Sequence, residues 1–307
     1  MKNLKYIFVS LLTIFCMTSC SNEGALTPSA PEEPDFPQGT NSYDKVFEQY
    51  YKDYGTMVLY RYTDADFRWN ITSYIPYYSE IADENYVSAA WTFLNDNCLS
   101  IWPNSFLKKC LPNRILLASS IWSLKEGWDY DDAGNYVKTY TKVYHTSVYG
   151  LNHIAFGLTN STIANLTTAD KKTAIGEVAY SLIGYATSRS KIDVPTAFKT
   201  LHDDYTKYNG EDEGDWGYNA AGCLEYIYAC DVYQDFAMYV KYLMTMSKDE
   251  FTAAFLNDSF DCGGTYDSNY NKTYTHPIKQ KYQIVIDYFN SLGIDLQAIG
   301  AKTSALQ

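Results

Sequence analysis

The chain has 307 residues, a net charge of −12 and 31 tyrosines. An acidic balance of this size argues against nucleic acid as a partner and against an electrostatic hold on anionic lipid. The length is ample for a sizeable core, and tyrosines in such number must cover surface as well as core, which permits stacking on sugars.

The first five residues, Met-Lys-Asn-Leu-Lys, precede a mostly apolar, uncharged run from Tyr6 to Cys16 and then Met17-Thr18-Ser19-Cys20. A basic start followed by an apolar run too short to span a bilayer is an export signal. Small residues leading into a cysteine resemble a bacterial lipobox, so residues 1–19 read as a lipoprotein signal peptide, cleaved before a lipidated Cys20; a plain secretory signal is the alternative. The membrane is then a partner through the anchor on Cys20, and the expected location is the outer membrane, at the cell surface. Residues 20–42 carry Pro28, Pro31, Pro34 and Pro37 among small polar residues and read as a flexible linker. Residues 43–307 are the folded domain. Losing Lys2 and Lys5 with the leader takes the charge from −12 to −14.

Five cysteines remain: Cys98, Cys110, Cys223, Cys230 and Cys262. An odd number leaves at least one thiol over, and Cys98 to Cys110 is the shortest loop that could close. Cys223 and Cys230 fall on an expected helix about 10 Å apart, too far to pair. No Cys-x-x-Cys occurs, which speaks against a cysteine zinc site.

In chain order, a helix is expected over Asp44–Lys52, a strand over Gly55–Tyr62, a helix over Tyr86–Leu99 and a buried strand over Arg114–Ala118. A hairpin turns at Asp131–Asn135, and Leu151–Leu158 is another strand. The second half is mainly helical. Thr167 or Thr168 caps a helix reaching Ala186, a second helical region spans Ala220–Met246, and Ser247 with Glu250 forms a capping box. Asn257–His276 reads as loop, and a last helix over Ile278–Leu292 stops at Gly293.

The central helix carries a buried stripe at Ile175, Val178, Ala179, Leu182, Ile183 and Ala186. Gly176, Tyr180 and Gly184 lie one turn apart beside Glu177, the layout of a His-Glu-x-x-His zinc helix with both histidine positions empty. His145, His153, His202 and His276 show no ligand spacing. The acidic run Glu211-Asp212-Glu213-Asp215 lacks the order of a calcium loop and reads as solvated. Glycine-rich phosphate loops and Gly-x-Ser-x-Gly elbows are absent.

The order of Tyr54–Tyr62, Leu111–Leu117, Gly176–Tyr180, Gln234–Ala237, Lys281–Tyr288 and Ile294–Leu296 resembles the putative zinc-binding metallopeptidase lipoproteins of Bacteroidetes, which accompany SusC/SusD-type glycan uptake. The resemblance spans about residues 43–300. It implies a zincin-like α+β fold, with a mixed α/β N-terminal half above a cleft and a mainly helical C-terminal half. It also implies that Gly176, Tyr180 and Gln234 stand at the three metal-ligand positions, with Glu177 as vestigial general base and Asp235 as a neighbouring site acid. Glycine offers no donor, a phenol with a pKa near 10 is a poor ligand at neutral pH, and an amide does not replace a carboxylate. Bound zinc eases formation of the hydroxide nucleophile by about 12 kcal/mol, which Glu177 alone cannot supply. The expected function is therefore that of a surface-tethered pseudoenzyme with no cofactor, holding a peptide, protein or glycan as an accessory of an uptake system with SusC/SusD-type partners. An active peptidase using zinc on unorthodox ligands, or a structural subunit of the uptake complex, are the alternatives. On this mapping Gly176→His, Tyr180→His and Gln234→Glu together should rebuild a zinc site.

Overall fold

The computed structural model describes residues 35–68, 76–208, 217–227 and 230–306. The expected leader, Cys20 and the acidic run from Glu211 to Asp215 lie outside them. The chain divides after Asp35, and Phe36–Gln307 forms the folded unit. Packing begins within the stretch that reads as linker. Phe36 stacks edge-on against Tyr51, and Gln38 Oε1 accepts from the backbone N–H groups of Tyr60 and Arg61.

The first helix, α1 (Ser42–Tyr54), ends at Gly55, whose φ of 70° needs a residue without a side chain. It leads into β1 (Met57–Leu59), α2 (Asp64–Arg68), β2 (Tyr77–Ile81), α3 (Val87–Phe93) with a π-turn over Leu94–Leu99, and α4 (Asn104–Cys110). The long strand β3 (Arg114–Tyr130) comes next, then β4 (Tyr136–Tyr144), β5 (Ser147–Tyr149) and β6 (His153–Phe156). β1 and β6 flank the start of β3 in parallel, β5 closes the edge antiparallel to β6, and β2 and β4 pair antiparallel with the outer part of β3.

The continuous apolar run Ile115-Leu116-Leu117 is explained by burial on both faces. Val58, Ile115, Leu117, Ile154 and Phe156 point into the main core. Leu59, Leu116, Ala118 and Ala155 point into a smaller cluster closed by Phe67 of α2. The expected strand ends at Ala118, where the apolar run stops. β3 continues for twelve more residues because the ladders to β2 and β4 satisfy its backbone without burial.

The helical half comprises α5 (Thr168–Ser188), α6 (Thr196–Tyr208), α7 (Val232–Leu243), α8 (Lys248–Phe255), α9 (Pro277–Ser291) and α10 (Leu296–Ser304), with a small ribbon of β7 (Gly264–Tyr266) and β8 (Lys272–Tyr274) inside the expected loop. The architecture is α+β, as expected, with the mixed half first. The predicted stripe of α5 is buried, and so are Ser181, Gly184, Tyr185 and Thr187, since α5 lies between β5 and β6 on one side and α7 on the other.

One helix differs from expectation. Residues 220–231 are not helical among the described positions; α7 starts at Val232, with Asp231 accepting from the N–H groups of Tyr233 and Gln234 while Gln234 Oε1 accepts from the N–H of Asp231. Gly222, at φ 82°, turns the chain before it. Cys223 and Cys230 thus precede the helix and share a small buried cluster, correcting the helical spacing expected of them. Cys98, Cys110, Cys223, Cys230 and Cys262 are all free thiols.

Candidate functional site: a cleft beside the central helix

The helix α5 is fixed at its start by a reciprocal cap, in which Thr167 Oγ1 accepts from the N–H of Asp170 and Asp170 Oδ2 accepts from that of Thr167. Two glycines then let neighbours come close. A Cβ on Gly176 would lie 3.0 Å from Thr245 Cγ2 and 3.2 Å from Lys241 Cγ, so the end of α7 packs directly on that turn. A Cβ on Gly184 would lie 2.5 Å from the ring of Tyr149, so β5 packs on the turn two further along. Between these approaches a cavity of about 540 Å³ opens, lined by Glu177, Tyr180 and Gln234 together with Lys241, Glu225 and Arg189. Tyr77, His145 and Tyr149 form its sheet-side wall.

The charges inside are organised around Lys241. Its Nζ lies 3.0 Å from Glu177 Oε1 and 3.2 Å from Glu225 Oε1. Tyr242 donates its hydroxyl to the same Glu225 carboxylate. Burial alone would lower the pKa of Lys241, but the two carboxylates more than offset that and hold it above its ordinary value. The group is an ammonium at any physiological pH.

The aromatic and imidazole groups of the wall are neutral. Burial pushes the phenols of Tyr180 and Tyr149 well above the ordinary range. Burial lowers the pKa of His145, only partly countered by the charge of Glu177, and its Nε2 lies 2.8 Å from Ser123 Oγ. Arg189, at the C-terminal end of α5, has no ion-pair partner among the described residues.

Of the residues singled out by sequence, Glu177, Tyr180 and Gln234 line this cavity, and Gly176 lies beside it, beneath Lys241. Asp235 does not face it. Neighbouring positions on a helix point about 100° apart, and the Asp235 carboxylate is buried behind α7. There its Oδ2 accepts from Lys281 Nζ at 2.6 Å and lies 2.9 Å from His202 Nδ1. Lys281 also donates to the carbonyls of Ala221 and Gly222, at 3.3 and 3.1 Å.

Neither group of residues suits a zinc ion. At the cleft, Gly176 has no donor atom, Tyr180 is held as a neutral phenol, Gln234 Oε1 is engaged in the α7 cap, and the Glu177 carboxylate is paired with an ammonium. Behind α7, donor atoms of His202, Cys223 and Asp235 lie within 4.8 Å of one another, a grouping that the absence of Cys-x-x-Cys does not anticipate. There too a lysine ammonium already neutralises the carboxylate, and burial raises the Cys223 thiol away from the thiolate a metal needs.

Sequence reasoning missed Lys241 and Glu225. Lys241 could have been found, because it lies seven residues after Gln234 and so on the same face of α7. Glu225 could not, since it sits on an irregular segment that reads as helix.

A family profile described as "Putative zinc-binding metallo-peptidase" matches residues 39–297. Among solved structures, a putative zinc-binding metallo-peptidase from Bacteroides caccae is similar, at 13% identity with a TM-score of 0.47, covering 87% of this chain and 95% of that one. No curated protein matches. The profile runs from the segment before α1 to the start of α10, taking in both the sheet and the helices around the cleft, and on that extent the chain belongs to the putative zinc-binding metallo-peptidase family.

Proposed function

We propose that this family member works without zinc, as a binding protein whose cleft receives a peptide or a segment of another protein. One observation carries the reading: the ammonium of Lys241 lies between Glu177 and Glu225, within 3.2 Å of both. A fixed cation in that place balances both carboxylates and occupies the position beside Glu177 Oε1 and Glu225 Oε1 where a metal cation would otherwise be held. The remaining lining groups suit recognition. The phenols of Tyr149 and Tyr180, the amide N–H groups of Gln234 and the guanidinium of Arg189 are donors for backbone carbonyls or a carboxylate.

The same reading puts the protein on the cell surface by a lipid on Cys20, as a peptide-binding accessory of an outer-membrane uptake system with partners of the SusC/SusD type. The leader sequence supports the lipid anchor.

The test is metal content after exposure to zinc. Purified protein is incubated with one and five equivalents of zinc, desalted and measured by mass spectrometry, with a casein-derived peptide library as activity assay. Substoichiometric zinc and no cleavage are expected. Stoichiometric zinc together with cleavage that Glu177→Gln abolishes would return the protein to the active peptidases and end this reading.

A further inference from the structure

The cleft carries its charges at separate places along α5. One ammonium, that of Lys241, serves the carboxylates of both Glu177 and Glu225, so these three groups together hold one excess negative charge. The contacts use Oε1 of each acid, and among the described residues no hydrogen bond reaches the second oxygen of either.

Arg189 stands further along the same helix. It follows Glu177 by twelve residues, as the C-cap of α5, which places the two α-carbons about 18 Å apart at 1.5 Å of rise per residue. Its guanidinium lines the cavity, pairs with no carboxylate and donates to no carbonyl among the described residues. The stretch between the charged ends is walled by phenols that are equally unengaged. The rings of Tyr149 and Tyr180 are 6.4 Å apart, the hydroxyl of Tyr149 lies 3.0 Å from where a Cβ of Gly184 would stand, and neither hydroxyl has a hydrogen-bond partner among the described residues. Burial keeps both protonated, so they are donors without charge. Asp231, whose charge also bears on these two phenols, does not line the cavity and accepts from the N–H groups of Tyr233 and Gln234.

This separation of charge selects the occupant. A polybasic or polyacidic chain would be matched at one end of the wall and opposed at the other. An internal segment of a folded partner brings only neutral amides to the two ends, and would strip water from the excess carboxylate charge and from the guanidinium without replacing it. A zwitterion whose charges are held apart by amides matches every part. Its ammonium donates to the open oxygens of Glu177 and Glu225, its carboxylate accepts from Arg189, and its amide carbonyls accept from the phenols. The span sets the length, since an extended chain at about 3.4 Å per residue covers about 18 Å in roughly five residues, and in fewer once both side chains reach inward. We propose, resting on the reading of the cleft as a peptide site, that its occupants are free oligopeptides of about three to five residues with both termini unblocked, the amino end at Glu177 and Glu225 and the carboxyl end at Arg189.

The experiment uses the folded protein and tetrapeptides randomised at every position, prepared with both ends free, N-acetylated, C-amidated or blocked at both ends. Each pool is selected by affinity and read by mass spectrometry, with calorimetry on the recovered sequences. Free-ended peptides should be recovered, and acetylating or amidating the best of them should each weaken binding about tenfold or more, the loss of one charge-assisted contact. Arg189→Gln should weaken the free acid about tenfold and leave the amide of the same sequence unchanged, and Glu177→Gln should do the same to the free amine and spare the acetylated form. A substitution that only disturbed the fold would weaken all forms alike. The proposal is overturned if blocking one of the ends leaves affinity unchanged, or if Arg189→Gln weakens acid and amide equally. Binding by the doubly blocked pool as tight as by the free one would overturn it and leave the cleft a peptide site, whereas no binding by any pool would overturn both.

Discussion

Replacing Lys281 by methionine tests the assignment of Asp235 to the interior instead of to the cleft. Lys281 is fully buried and Asp235 1% exposed, so the pair has no access to solvent screening. Methionine keeps most of the side-chain volume and removes only the ammonium. Asp235 Oδ2 is then left with His202, and the carbonyls of Ala221 and Gly222 lose a shared donor. Breaking a buried pair by removing one partner costs about 3–5 kcal/mol. At roughly 2–4 °C per kcal/mol for a domain of this size, the melting midpoint should fall by about 6–20 °C. Asp235→Asn should cost a similar amount, and the double variant less than the sum, because it leaves no uncompensated charge. Urea unfolding followed by far-ultraviolet dichroism at pH 7 gives all three values. A loss below about 1 kcal/mol for Lys281→Met, or strict additivity in the double variant, would refute the buried pair and reopen Asp235 as an acid of the cleft.

Three further outcomes are expected. Burial first, and the charge of Arg114 second, lower the pKa of His153 to about 4 from an ordinary 6.5, so the folded protein refuses a proton that the unfolded chain accepts; stability is fully present above about pH 6.5 and declines by about 3 kcal/mol as the pH falls to 4, and His153→Phe should flatten that slope in urea midpoints taken at pH 7, 5.5 and 4, whereas parallel curves would exclude the effect. Gly176→His should destabilise by about 1–3 kcal/mol, since even its Cβ would press on Thr245 and Lys241 and the propensity gain is smaller than that; rebuilding a zinc site with Tyr180→His and Gln234→Glu therefore also needs Lys241→Ala, and zinc uptake by the triple variant alone, measured by mass spectrometry, would show that Lys241 does not hold the place. Cys20→Ala should move the protein from the membrane to the soluble fraction on cell fractionation, and unchanged membrane retention would remove the lipid anchor.

What the sequence makes legible is local. The cap at Thr167, the Ser247–Glu250 box, the stop at Gly293 and the stripe of α5 are written in a few consecutive residues, and each stands where expected. The segment before α7 imitates a helix by its Leu, Tyr, Ile and Cys content, while the Asp231-x-x-Gln234 box that marks the true start hides behind the ligand position that the family resemblance implies at Gln234. Adjacency in sequence puts Gln234 and Asp235 at one site, although a helix turns neighbours away from each other. The Lys281–Asp235 pair joins residues 46 apart, and the Lys241–Glu225 pair joins α7 to an irregular segment, so no periodicity announces either.

The strand β3 begins between two parallel neighbours in the core and ends, without interruption, at the tip of the hairpin it forms with β4. A tension applied at the hairpin tip is thus carried by one continuous backbone into the ladders of β1 and β6, where separation requires several hydrogen bonds to yield together in shear and not one after another. The hairpin is a cantilever with its root in the buried core of the molecule.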